Sequence, residues 1–383
     1  MTLSPPSEDA KAPTSLAVRR IDAALHLVKP HQIRESLALN GRFRDRNSVL
    51  IGLQAALTSS LTLVCGLLSP WPHLAGIAAL GALAILFGRF APAGQRGRVV
   101  LTCAAWLFLA VVGMSVAARL GAPMPLRLGL LAFACGFFFF VVNTTRLGPP
   151  GALIFVFAAG AVMGDVASWQ EVAERAAATA LAGVLAWVIC AAFDGLRRPA
   201  APDVPTPVEP VRPLSHRLIA AGRITFGTAI AALAAHACGS THPAWAALGT
   251  LAVMQGTHLH VSMNRALQRM AGTVIGAGVV WIVLTQDPSI WTVVALVACL
   301  QVVIEMVIGA NYALGQIFVT PLALLMSYLA SNGGAGATMV GERVLDTLAG
   351  AFIGILLAVV SSTLDDRVQL ARHHAARSGQ AAG

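Results

Sequence analysis

Apolar runs of about twenty residues follow one another along most of this chain, and short polar segments separate them. A helix needs about 20 mainly apolar residues to cross the hydrocarbon core of a bilayer. The spacing predicts twelve spans, near residues 49–68, 72–88, 99–118, 127–143, 150–167, 174–193, 218–238, 243–257, 270–285, 289–309, 312–330 and 343–362. We therefore expect an all-α, polytopic membrane protein with the lipid bilayer as its main partner.

The charge content supports this expectation. Only 11% of the 383 residues are charged, whereas a soluble domain carries about 25%. The net charge of +9 does not indicate a nucleic-acid partner, because the basic residues lie between the apolar runs. No basic patch interleaved with aromatic residues is present in the sequence either.

The distribution of Lys and Arg predicts the orientation in the membrane, since cytoplasmic loops are enriched in both. With the N-terminus inside, four of the 26 basic residues fall on the outer side: Arg119, Arg127, Arg175 and Arg343. The first apolar run starts near Val49, so we expect insertion through an uncleaved first span. The predicted location is a bacterial inner (plasma) membrane, with both termini cytoplasmic.

A Pro-rich segment divides the apolar region into two halves. Residues 199–213 have a Pro at almost every third position, which favours an extended spacer over helix or sheet. The predicted organisation is a basic cytoplasmic segment (1–48), a first transmembrane half (49–195), the cytoplasmic linker (196–216), a second transmembrane half (217–362) and a cytoplasmic tail (363–383).

The two halves resemble each other, which predicts two parallel six-helix repeats. At an offset of 171 residues, matching residues are Pro72 and Pro243, Leu80 and Leu251, Arg98 and Arg269, and Thr102 and Thr273; at an offset of 168 they are Glu174 and Glu342, Arg175 and Arg343, and Thr179 and Thr347. Within the second half, Arg269–Gly276 is echoed three spans later by Arg343–Gly350, a spacing typical of nested inverted repeats of three spans, which occur in transporters.

Two acidic residues fall inside predicted spans, where ionisable groups are costly and mark functional sites. Glu305 and Asp346 are therefore candidates for a proton-carrying group. Each also has a structural interpretation. Asp346 is three residues after Arg343, a spacing at which the two form an ion pair on one helix, and Glu305 fits a satisfied polar contact between helices.

Arg265 and Arg269 are one helical turn apart, so they share a helix face. Together they could bind a carboxylate, or they could anchor the cytoplasmic end of the helix. Polar residues near span ends extend the candidate substrate site to Gln255, Asn311 and Tyr312.

Small residues follow both the Arg269 and the Arg343 positions, and such residues let helices approach closely in membranes. The predicted helix-packing residues are Gly272, Thr273, Gly276, Thr347 and Gly350.

His258 and His260 form a pair without a third ligand nearby in the sequence, which is too little for a metal site. No nucleophile–base arrangement is apparent. We therefore expect no metal, no cofactor and no enzymatic activity.

Two motifs carry a resemblance to a known family. The first runs from Pro243-Ala-Trp245 to Gln255 and continues as Asn264-Arg265-x3-Arg269-x2-Gly272-Thr273-x2-Gly276; the second is Gly341-Glu342-Arg343-x2-Asp346-Thr347-x2-Gly350. Both resemble the fusaric acid resistance family, which includes bacterial aromatic acid exporters, and the similarity is best over residues 220–360.

The resemblance implies a secondary transporter that exports aromatic or other organic acids across the inner membrane, driven by the proton gradient. It also implies a periplasmic adaptor protein as a partner of some members, and longer members carry sizeable cytoplasmic domains. A passive organic-anion channel and a non-transporting scaffold remain alternatives, and a homo-oligomer is left open.

Overall fold

A computed structural model describes residues 46–92, 94–197, 213–256, 259–308, 311–330 and 338–361. These residues form twelve helices in chain order and contain no β-strand. Residues 1–45, 198–212 and 362–383 lie outside the described residues, and with them most of the predicted N-terminal segment (1–48), most of the linker (196–216) and all of the tail (363–383). The all-α, polytopic class expected from the apolar runs is confirmed.

The first half contains α1 (Arg46–Leu68), α2 (Pro72–Leu86), α3 (Arg96–Arg119), α4 (Met124–Thr145), α5 (Ala152–Ala161) and α6 (Trp169–Phe193). The second half contains α7 (Leu214–Ala237), α8 (Ala244–Met254), α9 (Leu259–Leu284), α10 (Ile290–Val307), α11 (Tyr312–Ala330) and α12 (Thr338–Val360). In the described part of the chain, nine of these helices are long and apolar enough to cross a membrane.

The other three helices, α2, α5 and α8, are shorter than the predicted spans. Only Ala152–Ala161 is helical within the predicted span 150–167, and Ala244–Met254 within 243–257. Both α2 and α8 lie in the interior: all residues of Ala75–Ala82 and of Trp245–Val253 are buried. Hydropathy overestimated their lengths because a buried helix end and an apolar connection have the same composition.

Local sequence explains several helix starts. Ser168 begins α6 as a capping box: its hydroxyl accepts from the Glu171 amide at 3.1 Å, and the Glu171 carboxylate accepts from the Ala167 amide at 2.9 Å. Ser289 caps α10 by accepting from the Thr292 amide at 3.2 Å. Proline precedes both α4 and α7, as Pro123 and Pro213, where a missing amide donor costs little.

The halves meet mainly through two helix pairs, α1 with α10 and α4 with α7, and less extensively where α8 contacts α4 and α5 and where α11 contacts α2. A glycine allows the close approach in each pair. A Cβ at Gly52 would lie 3.0 Å from the Val302 Cα, and one at Gly136 would lie 2.5 Å from the Ala221 carbonyl oxygen.

Inside each half, α2 packs on α6 as α8 packs on α12, and α3 packs on α5 as α9 packs on α11. These pairings have the six-helix offset that the sequence repeat predicts. The repeat itself stays a prediction.

Large apolar side chains are exposed along the outer faces of the long helices, among them Leu109, Phe133, Trp187, Trp281 and Phe352. Lipid is the solvent that matches such a surface. The chain is a multi-pass membrane protein whose polar groups are concentrated between helices.

Candidate functional site

The second half buries an arginine on α9. Arg269 is 5% exposed, and its Nη1 donates to the Gln316 amide oxygen on α11 at 3.4 Å. Its Nε is buried without a hydrogen-bond partner. Within the described residues, no carboxylate forms an ion pair with Arg269. Its one polar contact is therefore long and neutral.

A second buried arginine lies on α12. Arg343 is 2% exposed, and its guanidinium carbon is 3.8 Å from the ring centroid of Trp245 on α8. Both Nε and Nη1 are buried without a hydrogen-bond partner. Arg269 and Arg343 lie on α9 and α12, which pack against each other. Two buried cations are thus carried by neighbouring helices of the second half.

The predicted ion pair between Arg343 and Asp346 is wrong. Among the residues that the structure describes, no salt bridge joins them. Asp346 instead accepts a hydrogen bond from the Ser240 hydroxyl at 2.6 Å. Stacking on Trp245 directs the guanidinium toward α8, whereas the carboxylate turns to the α7–α8 connection.

The same connection also binds the start of α12 at Glu342. The Glu342 carboxylate is 2.9 Å from His242 Nδ1 and also accepts from the Thr241 hydroxyl. Three consecutive residues of the α7–α8 connection, Ser240, Thr241 and His242, therefore hold the acidic residues of α12. This explains why neither acid neutralises Arg343.

Hydroxyl groups without partners surround the two arginines. Thr273 on α9, Tyr312 and Thr320 on α11, and Thr347 on α12 each have a buried hydroxyl oxygen that makes no hydrogen bond. Tyr312, Gln316 and Thr320 are four residues apart and so lie on one face of α11. Buried polar atoms are normally satisfied, so this cluster is unusual.

The predicted packing glycines lie at helix contacts. A Cβ at Gly272 would lie 2.5 Å from the Gln316 Cβ, and one at Gly276 would lie 2.5 Å from the Ile317 carbonyl oxygen, both on α11. A Cβ at Gly350 would overlap the Ala246 carbonyl on α8. These contacts bring the backbones close enough for the polar side chains to meet.

Glu305 lies elsewhere, at the interface of the two halves. Its carboxylate oxygen is 3.4 Å from Arg89 Nη1, and Arg89 also donates to the Ser48 hydroxyl. One turn earlier, the Gln301 amide donates to the Ser59 hydroxyl of α1 at 2.6 Å. Glu305 thus has a cationic partner, and the structure does not bring it together with Arg343.

The other predicted site residues are distributed along the region. Arg265 is half-buried one turn before Arg269. Asn311 caps α11, its side-chain oxygen accepting from the Ala313 amide at 2.7 Å. Gln255 follows the last residue of α8, 3.8 Å from where a Cβ of Gly151 would lie.

The side chains of His258 and His260 lie outside the described residues. In the part of the chain that the structure describes, no three His, Cys, Asp or Glu side chains are grouped to hold a metal ion.

Buried arginines of the first half have partners of a different kind. Arg96 donates to the Ile85 carbonyl at 3.0 Å and to the Gln54 side chain. Arg127 pairs with Asp165 at 2.8 Å, and Arg175 with Glu171 at 2.6 Å. An isolated Nε without a partner also occurs at Arg175, so the distinguishing feature of Arg343 among the described residues is that it is fully buried and has neither a carboxylate nor a carbonyl partner; the half-buried Arg119 of α3 also lacks both and lies over Trp169.

A separate apolar cleft of about 340 Å³ lies between α3 and α4. Its lining includes Trp106, Phe133, Phe137 and Phe138 and no charged residue. It offers contact to hydrocarbon but nothing that would recognise an anion, so it is distinct from the arginine cluster.

The arrangement in the second half favours binding of an anion. A buried, unpaired cation is costly, and two neighbouring cations add mutual repulsion. A carboxylate accepting from both guanidinium groups would offset both terms. Sequence reasoning missed Trp245 as the partner of Arg343, although Trp245 is part of the Pro-Ala-Trp motif, because no local rule relates residues so far apart.

Comparison with known proteins agrees with the resemblance seen in the sequence. Residues 229–357 match the model of the fusaric acid resistance protein-like family. The chain is 36% identical over 145 residues to the uncharacterised membrane protein YvaC of Bacillus subtilis (strain 168). This alignment covers 38% of the chain and 22% of that protein, so the chain spans about a fifth of the length of its curated relative.

No solved structure matches the chain. The family match includes Arg269, Gly276, Glu305, Arg343 and Gly350, which lie within or beside the helix contacts described above. The helices suited to crossing a membrane and the similarity to a membrane protein support the same conclusion. Residues 229–357 are thus similar to the fusaric acid resistance protein-like family, and they lie within an integral membrane protein.

Proposed function

We propose that this protein is a secondary transporter that exports small organic acids, aromatic acids among them, and that its second half carries the anion. The observation that carries the proposal is the pair Arg269 and Arg343, both buried and without a carboxylate partner among the described residues. Intramembrane charges usually mark the path of an ion or substrate. The family match supports transport but not a particular substrate.

Each residue of the cluster has a role in this proposal. Arg265, half-buried one turn before Arg269, attracts the anion toward the buried pair. Arg343 is held flat by Trp245, and a stacked guanidinium keeps its in-plane N–H groups free to bind a carboxylate. Gln316 positions Arg269 through its amide oxygen. Tyr312 presents a hydroxyl on the same face of α11, whereas Gln255 and Asn311 support the ends of α8 and α11.

Asp346 is the better of the two candidates for the proton-carrying group. It lies one turn after Arg343, and within the described residues it accepts a hydrogen bond from the Ser240 hydroxyl, which protonation need not break. Glu305 is paired with Arg89 instead, and protonation would sacrifice that pair. We propose that Asp346 takes up and releases the coupled proton during the transport cycle.

The proposed setting is a bacterial inner membrane with both termini in the cytoplasm, because Lys and Arg predominate on that side of the predicted spans. A periplasmic adaptor and a homo-oligomer belong to the proposal as partners, following the family resemblance alone.

Flux measurements in inside-out vesicles test this function. Labelled benzoate should accumulate inside the vesicles when a proton gradient is imposed, and a protonophore should abolish the accumulation. Asp346→Asn should lose the dependence on the gradient, whereas Glu305→Gln should keep it; the reverse result would move the proton site to Glu305.

Two results would contradict the proposal. Benzoate flux that merely equilibrates, together with single-channel currents in a planar bilayer, would show a passive anion channel. An absence of flux with every small carboxylate tried, in a protein that is folded in the vesicles, would favour a scaffold.

A further inference from the structure

Most helical threonines in this molecule bind their own backbone. The hydroxyl donates to the carbonyl four residues earlier at 2.7 to 3.1 Å, as threonine commonly does in helices. This is seen at Thr58, Thr62, Thr102, Thr144, Thr145, Thr179, Thr228 and Thr250. A threonine hydroxyl that forgoes this bond in a buried position therefore requires an explanation.

Three buried threonines lack the bond, and all of them belong to the helices that carry the arginine cluster. Thr273, Thr320 and Thr347 are at most 1% exposed, yet their hydroxyls have no partner. Thr273 is one turn after Arg269, and Thr347 is one turn after Arg343. Thr320 is one turn after Gln316, the residue that bonds Arg269. Each of the three hydroxyls thus lies on the same helix face as the polar side chain one turn before it.

The first half provides an internal reference. Its sequence matches for Thr273 and Thr347 are Thr102 and Thr179, which donate to the Arg98 and Arg175 carbonyls at 2.9 and 2.8 Å. At matching sequence positions, the threonine hydroxyl therefore bonds to its own helix backbone in the first half and makes no hydrogen bond in the second. In the described part of the first half, Ser115 is the one buried hydroxyl left in this state.

We propose that the Thr273 and Thr347 hydroxyls are further ligands of the transported anion, so that each buried arginine and the threonine one turn beyond it bind the anion as a unit. This inference rests on the proposed function. Every free group in the cluster is a donor or can act as one, and a carboxylate offers about four acceptor positions, enough to accept from both pairs. An anion held this way loses its water without losing hydrogen bonds.

The site chemistry predicts the ligand class. A carboxylate has two oxygens that match the parallel N–H groups of a guanidinium, whereas chloride is a single acceptor atom. We expect benzoate and lactate to compete for one site, and chloride to compete weakly.

The experiment replaces each hydroxyl with a methyl group of similar shape. Thr273→Val and Thr347→Val should each raise the KM for labelled benzoate by about 10-fold, the lower end of what a hydrogen bond to a charged group contributes, with a smaller change in kcat. Thr273→Ser and Thr347→Ser keep the hydroxyl and should restore most of the affinity. The matched variants Thr102→Val and Thr179→Val should leave the KM unchanged.

A binding measurement gives a second readout that does not depend on the expression level or on the turnover rate. Benzoate should raise the melting temperature of the detergent-solubilised wild type, because a ligand that binds the folded state stabilises it. The same shift should require higher benzoate concentrations in the two Val variants and not in the two first-half controls.

The role of the hydroxyls and the transport function can be refuted separately. An unchanged KM and an unchanged thermal shift in Thr273→Val and Thr347→Val, with flux lost in Arg343→Gln, would overturn the role of the hydroxyls and leave the transport function standing. Normal flux in Arg343→Gln would overturn the proposed function itself.

Discussion

Both halves of this protein contain buried or half-buried arginines, and the two halves bind them in different ways. In the first half, Arg96, Arg127 and Arg175 donate to backbone carbonyls, and the last two also pair with carboxylates. In the second half, Arg343 stacks on an indole ring and Arg269 reaches one amide oxygen. The first half thus gives these arginines carbonyl or carboxylate partners, whereas the second half leaves Arg269 and Arg343 able to bind an anion.

The difference arises from what lies at the ends of the short helices. The carbonyls that accept from Arg96 and Arg175, on Ile85 and Val162, are at the C-terminal ends of α2 and α5, where unpaired carbonyls and the helix dipole attract a cation. Arg343 instead lies beside Trp245 at the N-terminal end of α8, where the dipole is positive. The helix ends thus stabilise the arginines of the first half, whereas the N-terminal end of α8 raises the positive potential around Arg343.

The largest expected effect comes from removing the unpaired cation. Arg343→Gln should lower benzoate flux at low substrate concentration by about 100-fold, since hydrogen bonds to charged groups contribute about 1.5–3 kcal/mol. Arg175→Gln, its sequence match in the first half, should retain wild-type flux in the same vesicle assay. Equal losses in the two variants would abolish the functional contrast between the halves.

The pair that joins the halves should have the next largest effect, this time on stability. Arg89→Gln leaves Glu305 without its cation and should cost about 2 kcal/mol of unfolding free energy, between the values for exposed and buried pairs. Adding Glu305→Gln should recover part of the loss in a double-mutant cycle followed by denaturant unfolding in detergent. Arg98→Gln, at an exposed arginine of α3, is the control; additive effects of the two mutations would show that the pair is not coupled.

Close packing in the second half predicts a similar but smaller loss of stability. Gly350→Ala should cost about 1–2 kcal/mol, because the added methyl group meets the Ala246 carbonyl. Gly278→Ala on α9 meets nothing within 4 Å and should be neutral or slightly stabilising, as alanine is the better helix former. The position matched to Gly350 in the first half is already Ala182. Tolerance of alanine at 350 would remove this distinction between the halves.

The smallest effect is expected where the halves resemble each other most. A histidine contacts the glutamate of each sequence-matched pair, His242 with Glu342 at 2.9 Å and His73 with Glu174 at 3.7 Å. Exposed pairs contribute at most about 1 kcal/mol, so Glu342→Gln should lower the melting temperature slightly, and Glu174→Gln should lower it less. High salt should reduce both differences, and a larger loss in Glu174→Gln would reverse the expected order.

Hydropathy was sufficient to predict the class and the order of the twelve helices, because lipid imposes a length and composition on each long span. It failed on the lengths of α5 and α8, since both are enclosed by protein. Local spacing rules also failed at Arg343, where position 346 suggested a partner and Trp245, almost a hundred residues earlier, provides it. Contacts between residues so far apart in sequence, such as Arg89 with Glu305, depend on how the helices pack. The periodicity of the sequence does not predict that packing.

The reciprocal helix pairs have a consequence for the covalent chain. Because α1 packs on α10 and α4 packs on α7, each half is held by two separate contacts with the other, and neither contact needs the peptide segment 198–212. Two polypeptides, one ending after α6 and one beginning before α7, should therefore associate when they are co-expressed.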